Sequence, residues 1–187
     1  TTIDLSGNKN IKDLTGLENF TYLVNLHCDN TNITTMDVSK IKSLQIVTAN
    51  NVPNLKSVNV TGCDKLSTLR LKNTGITSLD VTKNPKLDTL DCSKTKLTSI
   101  DVSHNPTLFN LCVTGTDIST LDVTKNLKLI DLQLANTKIR SIDVSQNKNL
   151  QSLTIHDCFM DTLDITQNLY LVNLFANNNN FTELNVE

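Results

Sequence analysis

The sequence contains one cluster whose residue types suit a metal site or a nucleophilic centre, His156-Asp157-Cys158. Cys112 is a second thiol that could serve the imidazole of His156. A cysteine and a histidine act together only when sulfur and ring nitrogen lie about 3 Å apart. The secondary-structure elements that carry these residues therefore decide whether the cluster can form a metal site or a nucleophilic centre.

Acidic or amide residues also recur at a regular interval between two apolar positions: Asp37, Asn59, Asp80, Asp101, Asp122, Asp143, Asp164 and Asn185. Stacked carboxylates about 5 Å apart could bind calcium. Alternatively, each Asp accepts a backbone N–H of the following corner, assisted by a Ser or Thr two residues later. The sequence lacks the glycine-rich nonapeptide of calcium-binding β-solenoids, so we favour the structural role.

Composition excludes several classes of function. The chain has 187 residues, and 17 Lys and Arg against 19 Asp and Glu give a net charge of −2. These charges are spread along the chain, so no basic surface would attract nucleic acid. No apolar run approaches the roughly 20 residues of a membrane span. We therefore expect neither a nucleic-acid partner nor a membrane-spanning segment.

An internal repeat determines where all of these side chains lie, and its period is 21 residues. One copy runs Leu87, Leu90, Cys92, Thr95, Leu97, Ile100, Val102, Asn105, and the next runs Leu108, Leu111, Val113, Thr116, Ile118, Leu121, Val123, Asn126. The pattern predicts about nine turns, with one inserted residue before Leu55 and a similar one-residue insertion in the first turn. Both chain ends fall within a repeat, so we expect residues 1–187 to be a single domain from a longer protein.

Such a repeat predicts a stack, because one turn buries its aliphatic side chains only when its neighbours cover them. The alternation around Leu90 predicts one parallel strand per turn. The alternation around Ile100 predicts an extended or 3₁₀ opposite side, since so short a repeat leaves no room for a long helix.

The spacing Leu-x-x-Leu-x-Leu-x-x-Asn/Thr-x-Leu resembles the bacterial leucine-rich-repeat family over essentially the whole chain. Segments such as Leu121-Asp122-Val123-Thr124-Lys125-Asn126 and Asp13-Leu14-Thr15-Gly16-Leu17 resemble the cysteine-containing repeats of internalin-like surface proteins. This resemblance implies a right-handed leucine-rich-repeat solenoid, mostly β within an α/β-type superfold, with a parallel concave sheet. It also implies a secreted or cell-surface recognition or adhesion module located outside the bacterial cell.

The repeat register argues against catalysis by the cysteines. Cys158 occupies an inward corner position, and Cys112 lies more than roughly 10 Å from His156 by strand spacing. Cys28 and Cys92 share a position but are three turns apart, which exceeds disulfide reach. We predict free thiols, no catalytic residue, no metal site and no cofactor. The Asn column (Asn84, Asn105, Asn126, Asn147, Asn168) is interpreted as structural, satisfying main-chain groups at a corner.

The outward residues of the predicted strands are varied, as expected of a binding face. Phe109, Ile130, Val172 and Phe175 are apolar and have no core position to fill. The predicted ligand-binding residues are Phe109, Ile130, Cys112, Gln133, Val172, Phe175, His156, Arg70 and Asp91. Two alternatives remain open: Phe109 and Ile130 only brace each other, and Arg70 and Asp91 form a cross-strand ion pair worth about 0.2–1 kcal/mol.

Two functions fit these observations. The first is a monomeric, non-enzymatic module that binds a protein or glycan ligand, including a host-derived one, through the concave face. The second is a passive spacer that displays another domain.

Overall fold

The computed structural model describes residues 1–185, which form a leucine-rich-repeat solenoid with one short strand per turn on its main sheet. The strands are β1 (Thr2–Asp4), β2 (Asn25–His27), β3 (Thr35–Asp37), β4 (Ile46–Thr48), β5 (Ser57–Asn59), β6 (Thr68–Arg70), β7 (Thr89–Asp91), β8 (Asn110–Cys112), β9 (Asp131–Gln133), β10 (Ser152–Thr154) and β11 (Asn173–Phe175). The predicted fold class is thereby confirmed.

Nine of these strands form one parallel sheet in the order β1-β2-β4-β6-β7-β8-β9-β10-β11. Nine strands enclose eight complete turns, close to the predicted nine. Leu90 pairs with Leu111, which is the regular period of the sequence. Val47 pairs with Leu69, one position beyond that period. The longer spacing confirms the predicted insertion before Leu55.

The first turn differs from the sequence prediction. Ile3 pairs with Leu26, two positions beyond the regular period, so this turn carries two extra residues and not one. The extra length includes the 3₁₀ segment Leu17–Asn19, where Leu17 is buried. The apolar spacing alone did not locate both insertions because most apolar residues of this turn are only partly buried.

The convex side is extended, as predicted. β3 and β5 pair in a second, two-stranded parallel sheet, and a single bridge joins Asp164 to Asn185. The described residues contain no α-helix. Long helices therefore do not interrupt the stack of turns in this part of the chain.

The core is a continuous column of aliphatic side chains that run through every turn. Leu90, Leu111 and Leu132, on successive strands, are fully buried, as are Ile76, Leu97 and Ile118 at a second position. Each turn covers its neighbours, so burial at about 25 cal/mol per Å² of apolar surface stabilises the interfaces between turns.

Each turn also has a left-handed corner directly after the strand region. The residues with positive φ at this corner are Gly7, Asn30, Asn51, Asn73, Lys94, Gly115, Asn136, Asp157 and Asn178. Gly, Asn and Asp tolerate this conformation. Lys94 is therefore the strained member of the series.

Candidate ligand-binding face

The concave face is built by the residues on either side of the buried leucine of each strand. On β8, Leu111 points into the core, while Asn110 and Cys112 are half-buried on the opposite side. Because the strands pair in register, the same positions of successive turns form columns about 4.8 Å apart. The sheet thus fixes where each outward side chain lies.

Phe109 and Ile130 line one open groove of about 580 Å³ beside β8 and β9. Its other lining residues are Asp88, Thr107, Lys128, Asn149 and Gln151. Phe109 remains 40% exposed and Ile130 38% exposed. A large part of each apolar side chain therefore remains open to a ligand. The two residues are neighbours through their backbones, because the amide of Ile130 donates to the Phe109 carbonyl at 2.9 Å.

A hydrogen-bonded network lies next to this groove. The Cys112 thiol donates to Gln133 Oε1 at 3.5 Å, and Gln133 Nε2 donates to Asp131 Oδ2 at 2.7 Å. Burial raises the pKa of the Cys112 thiol, so it stays protonated and acts as a weak donor. Two predicted residues, Cys112 and Gln133, are thus joined to Asp131.

Sequence reasoning missed the column that contains Asn110 and Asp131. The two residues pair across β8 and β9 and occupy the position before the buried leucine. The sequence did contain this information, because side chains alternate along a strand and Asp131, two residues before Gln133, must lie on the same face.

Arg70 and Asp91 do not form the cross-strand ion pair that the sequence left open. They are register partners on β6 and β7, yet the only pairs within 4.0 Å in residues 1–185 are Lys138 with Asp117 and His156 with Asp157. Asp91 Oδ1 instead accepts the N–H and the hydroxyl of Ser93, at 2.9 and 2.6 Å. A local turn contact competes successfully with the long, exposed Arg side chain.

Val172 and Phe175 lie at the last strand, away from the groove. They are 78% and 53% exposed, but Leu171 and Leu174, which fill core positions, are also only partly buried there. No described turn covers this end of the stack. Exposure at Val172 and Phe175 is therefore weaker support for a binding role than exposure at Phe109 and Ile130.

The cluster His156-Asp157-Cys158 is divided between two sides of the chain. His156 Nδ1 lies 2.6 Å from Asp157 Oδ2, and Asp157 also accepts from Asn178 Nδ2 at 2.8 Å. Cys158 is buried and its sulfur is 3.2 Å from the Leu134 carbonyl oxygen. The hydrogen bonds from His156 and Asn178 lower the pKa of Asp157. The thiol and the imidazole therefore have separate partners.

At the N-terminal end, one column of the concave face is polar. His27 Nδ1 lies 3.1 Å from Thr48 Oγ1, and the Thr48 hydroxyl donates to Asp29 Oδ2 at 3.0 Å. His27 and Thr48 occupy the same column as Cys112 and Gln133. This column is therefore mostly polar, whereas the column beside it has apolar Ile46 on β4.

The acidic series on the convex side has the local contacts predicted for a turn-stabilising role. Asp122 Oδ1 accepts the Thr124 N–H at 2.8 Å and its hydroxyl at 2.7 Å. These two bonds hold the pKa of Asp122 below its ordinary value. Asn59 makes the same contacts with Thr61, so the position needs an acceptor and not a charge.

Comparison with known proteins places this architecture in a family. A family described as the leucine-rich-repeat domain of the endo-β-N-acetylglucosaminidase EndoS matches residues 1–105, more than half of the chain. The chain belongs to this leucine-rich-repeat family. No curated protein matches it in sequence.

Solved structures of leucine-rich-repeat proteins resemble the structure of this chain. The functional domain of InlJ from Listeria monocytogenes, described as including a cysteine ladder, has a TM-score of 0.91 and 37% identity, covering 100% of this chain and 41% of that one. An internalin, InlF, from the same organism has a TM-score of 0.83 and 20% identity, covering 97% and 56%. A plant peptide hormone receptor in complex with RGF2 has a TM-score of 0.79 and 18% identity, covering 97% and 32%.

These likenesses support an internalin-like leucine-rich-repeat protein. The chain spans less than half the length of the InlJ chain that it matches. All five of its cysteines are free thiols, and they occupy several different positions of the repeat. Within residues 1–185, no three His, Cys, Asp or Glu side chains are grouped to hold a metal ion. The described segment also has no helix with the length and apolarity of a membrane crossing.

Proposed function

We propose that this leucine-rich-repeat chain is a non-enzymatic recognition module that binds a protein ligand through its concave face. The observation that carries the proposal is the open groove in which Phe109 and Ile130 keep more than a third of their surface exposed. Aromatic and aliphatic side chains of this kind supply much of the binding energy in protein interfaces.

The surroundings of the groove suit a protein ligand. Lys128, Asn149 and Gln151 provide polar groups at its margin, as in an interface with an apolar centre and a polar rim. The remaining predicted residues, Arg70, Asp91, Cys112, Gln133 and His156, would contribute the polar surface on the same side. Val172 and Phe175 would extend it toward β11.

The setting of the module is part of the proposal. The likeness to internalins supports a bacterial surface or secreted protein. We also propose that the module acts as a monomer. The peptide receptor with the same fold supports the use of this solenoid for protein or peptide ligands. A glycan ligand and a passive spacer are the competing functions.

A displayed library of random twelve-residue peptides, together with an array of oligosaccharides, tests the proposal. We expect the chain to enrich peptides, and the double variant Phe109→Ser/Ile130→Ser to lose that enrichment. Leu127→Ser is the matched control, because Leu127 is 55% exposed but does not line the groove.

The competing functions predict different results. Selective binding of oligosaccharides without peptide enrichment would favour a glycan ligand. Binding of neither probe would favour the spacer, and equal enrichment by the double variant would remove the groove from the binding site.

A further inference from the structure

We infer that the ligand of this groove is a protein segment that carries a bulky apolar residue with a Lys or Arg within three positions of it. This inference rests on the proposed function and names the chemistry of the partner. Its basis is the charge that surrounds Phe109 and Ile130.

The concave face is acidic. Each segment of this face comprises a main-sheet strand, the residue before it and the two residues after it. In these segments carboxylates outnumber Lys and Arg side chains by five to two: Asp4, Asp29, Asp88, Asp91 and Asp131 against Arg70 and Lys72. The whole chain, by comparison, has 19 acidic and 17 basic residues. Negative charge is thus concentrated on the face that contains the groove.

Three of these carboxylates lie in the apolar groove or on the strands beside it. Asp88 lines it directly. Asp131 lies on β9, one residue after Ile130, and Asp91 ends β7, the strand next to Phe109. A cation bound beside Phe109 would lie near these carboxylates and the face of an aromatic ring, an arrangement that favours Lys or Arg.

No basic side chain of residues 1–185, Lys128 at the groove margin included, neutralises these carboxylates by an ion pair within 4.0 Å. Asp91 uses Oδ1 for Ser93, and Asp131 uses Oδ2 for the neutral amide of Gln133. Asp131 Oδ1 is buried and has no hydrogen-bond partner among the described residues. An unpaired buried carboxylate oxygen is costly, and a positive charge that a ligand places near Asp131 would offset part of that cost.

The spacing of the sheet sets the spacing in the ligand. Asn110 pairs with Asp131, so Asp131 is one strand and one residue from Phe109. Strand spacing and rise place the two Cα atoms about 6 Å apart. An extended peptide advances about 3.3 Å per residue. A basic residue two or three positions from the apolar anchor would therefore reach the carboxylate.

The same peptide library tests this inference when its recovered sequences are compared among variants. We expect the unaltered chain to enrich Lys or Arg within three positions of Leu, Ile, Phe or Trp. Asp88→Asn and Asp131→Asn should keep the apolar preference and lose the basic one. Asp101→Asn is the matched control, since Asp101 lies on the convex side.

Titration of one recovered peptide measures the effect. Each neutralised carboxylate should weaken binding by about two- to fivefold, as expected for partly exposed charge pairs. Affinity should also fall as salt is raised toward about 0.5 M, because screening weakens such pairs. Unchanged melting temperatures would show that Asp88→Asn and Asp131→Asn remain folded.

The outcomes separate this inference from the proposed function. Enrichment of apolar peptides without basic residues, or unchanged binding by both variants, overturns the inference and leaves the recognition function intact. Failure of the unaltered chain to enrich any peptide overturns both.

Discussion

The side-chain Nδ2 of Asn126 donates to the main-chain carbonyl of Asn105, one turn earlier in the stack, at 2.9 Å. The same nitrogen also donates to the Val102 carbonyl at 2.9 Å. Asn84, Asn105, Asn147 and Asn168 each make an equivalent pair of bonds. The amides thus link each turn to the one before it, inside the core.

Asn126→Ala should therefore destabilise the solenoid by about 1–3 kcal/mol, because the buried carbonyls of Val102 and Asn105 each lose one of two donors and keep only a backbone N–H. The free energy of unfolding, measured by urea denaturation, checks this. Asn149→Ala is the matched control, since exposed Asn149 makes one bond, to Leu127 at 3.0 Å. A loss no larger than that of Asn149→Ala would contradict the role assigned to the column.

Lys94→Asn should stabilise the chain by about 0.5–1 kcal/mol, because Asn adopts the left-handed region at a lower cost than Lys. Lys94 has a φ of 56°. Neighbouring turns already place Asn73, Gly115 and Asn136 at this corner. Thermal unfolding checks the prediction, with Lys96→Asn as the control because Lys96 lacks a positive φ. Equal shifts in the two variants would speak against strain at Lys94.

Stability should decrease as pH falls below about 4, because the carboxylates of the convex series lose charge. Hydrogen bonds from Thr82, Thr124 and Thr166 lower the pKa of Asp80, Asp122 and Asp164 in the folded chain below the ordinary 3.8. A lowered pKa stabilises the fold above the ordinary value, and this contribution is lost as pH falls through the folded value.

The triple variant Asp80→Asn/Asp122→Asn/Asp164→Asn tests the cause of that pH dependence. The amides keep the acceptor, as Asn59 does, but do not titrate. Melting temperatures between pH 7 and pH 2 should therefore change less in the variant. An identical pH profile in both proteins would assign the acid sensitivity to other groups.

The buried cysteines should resist modification in the folded chain. Burial raises the pKa of Cys28 and of Cys63 to about 12, and it also raises the pKa of Cys92. At pH 8 these thiols are protonated and inaccessible. We expect dithionitrobenzoate to react slowly with half-buried Cys112 alone, and with all five after unfolding in guanidinium.

Cys112→Ser provides the control for the thiol measurement. It should abolish the slow phase in the folded protein and leave four thiols after unfolding. Rapid reaction of several thiols before unfolding would contradict the burial of the core.

The sequence by itself determined the stack, the buried positions and the approximate strands. Leu90, Leu111 and Leu132 recur at one interval, and only a column of stacked turns buries every member of such a series. The inward role of the Asn column and the turn contacts of residues such as Asp122 also followed from the repeat. Phe109 and Ile130 were identified as exposed because they occupy no core position.

Tertiary structure decided what the outward side chains contact. It showed that Asp91 bonds Ser93 and not Arg70, and that Asp131 joins Gln133 beside the groove. It also showed that the first turn contains two extra residues. A hydrophobic period fixes which side of the sheet a residue occupies. The choice among neighbouring polar partners depends on side-chain geometry and competing hydrogen bonds, which the period does not encode.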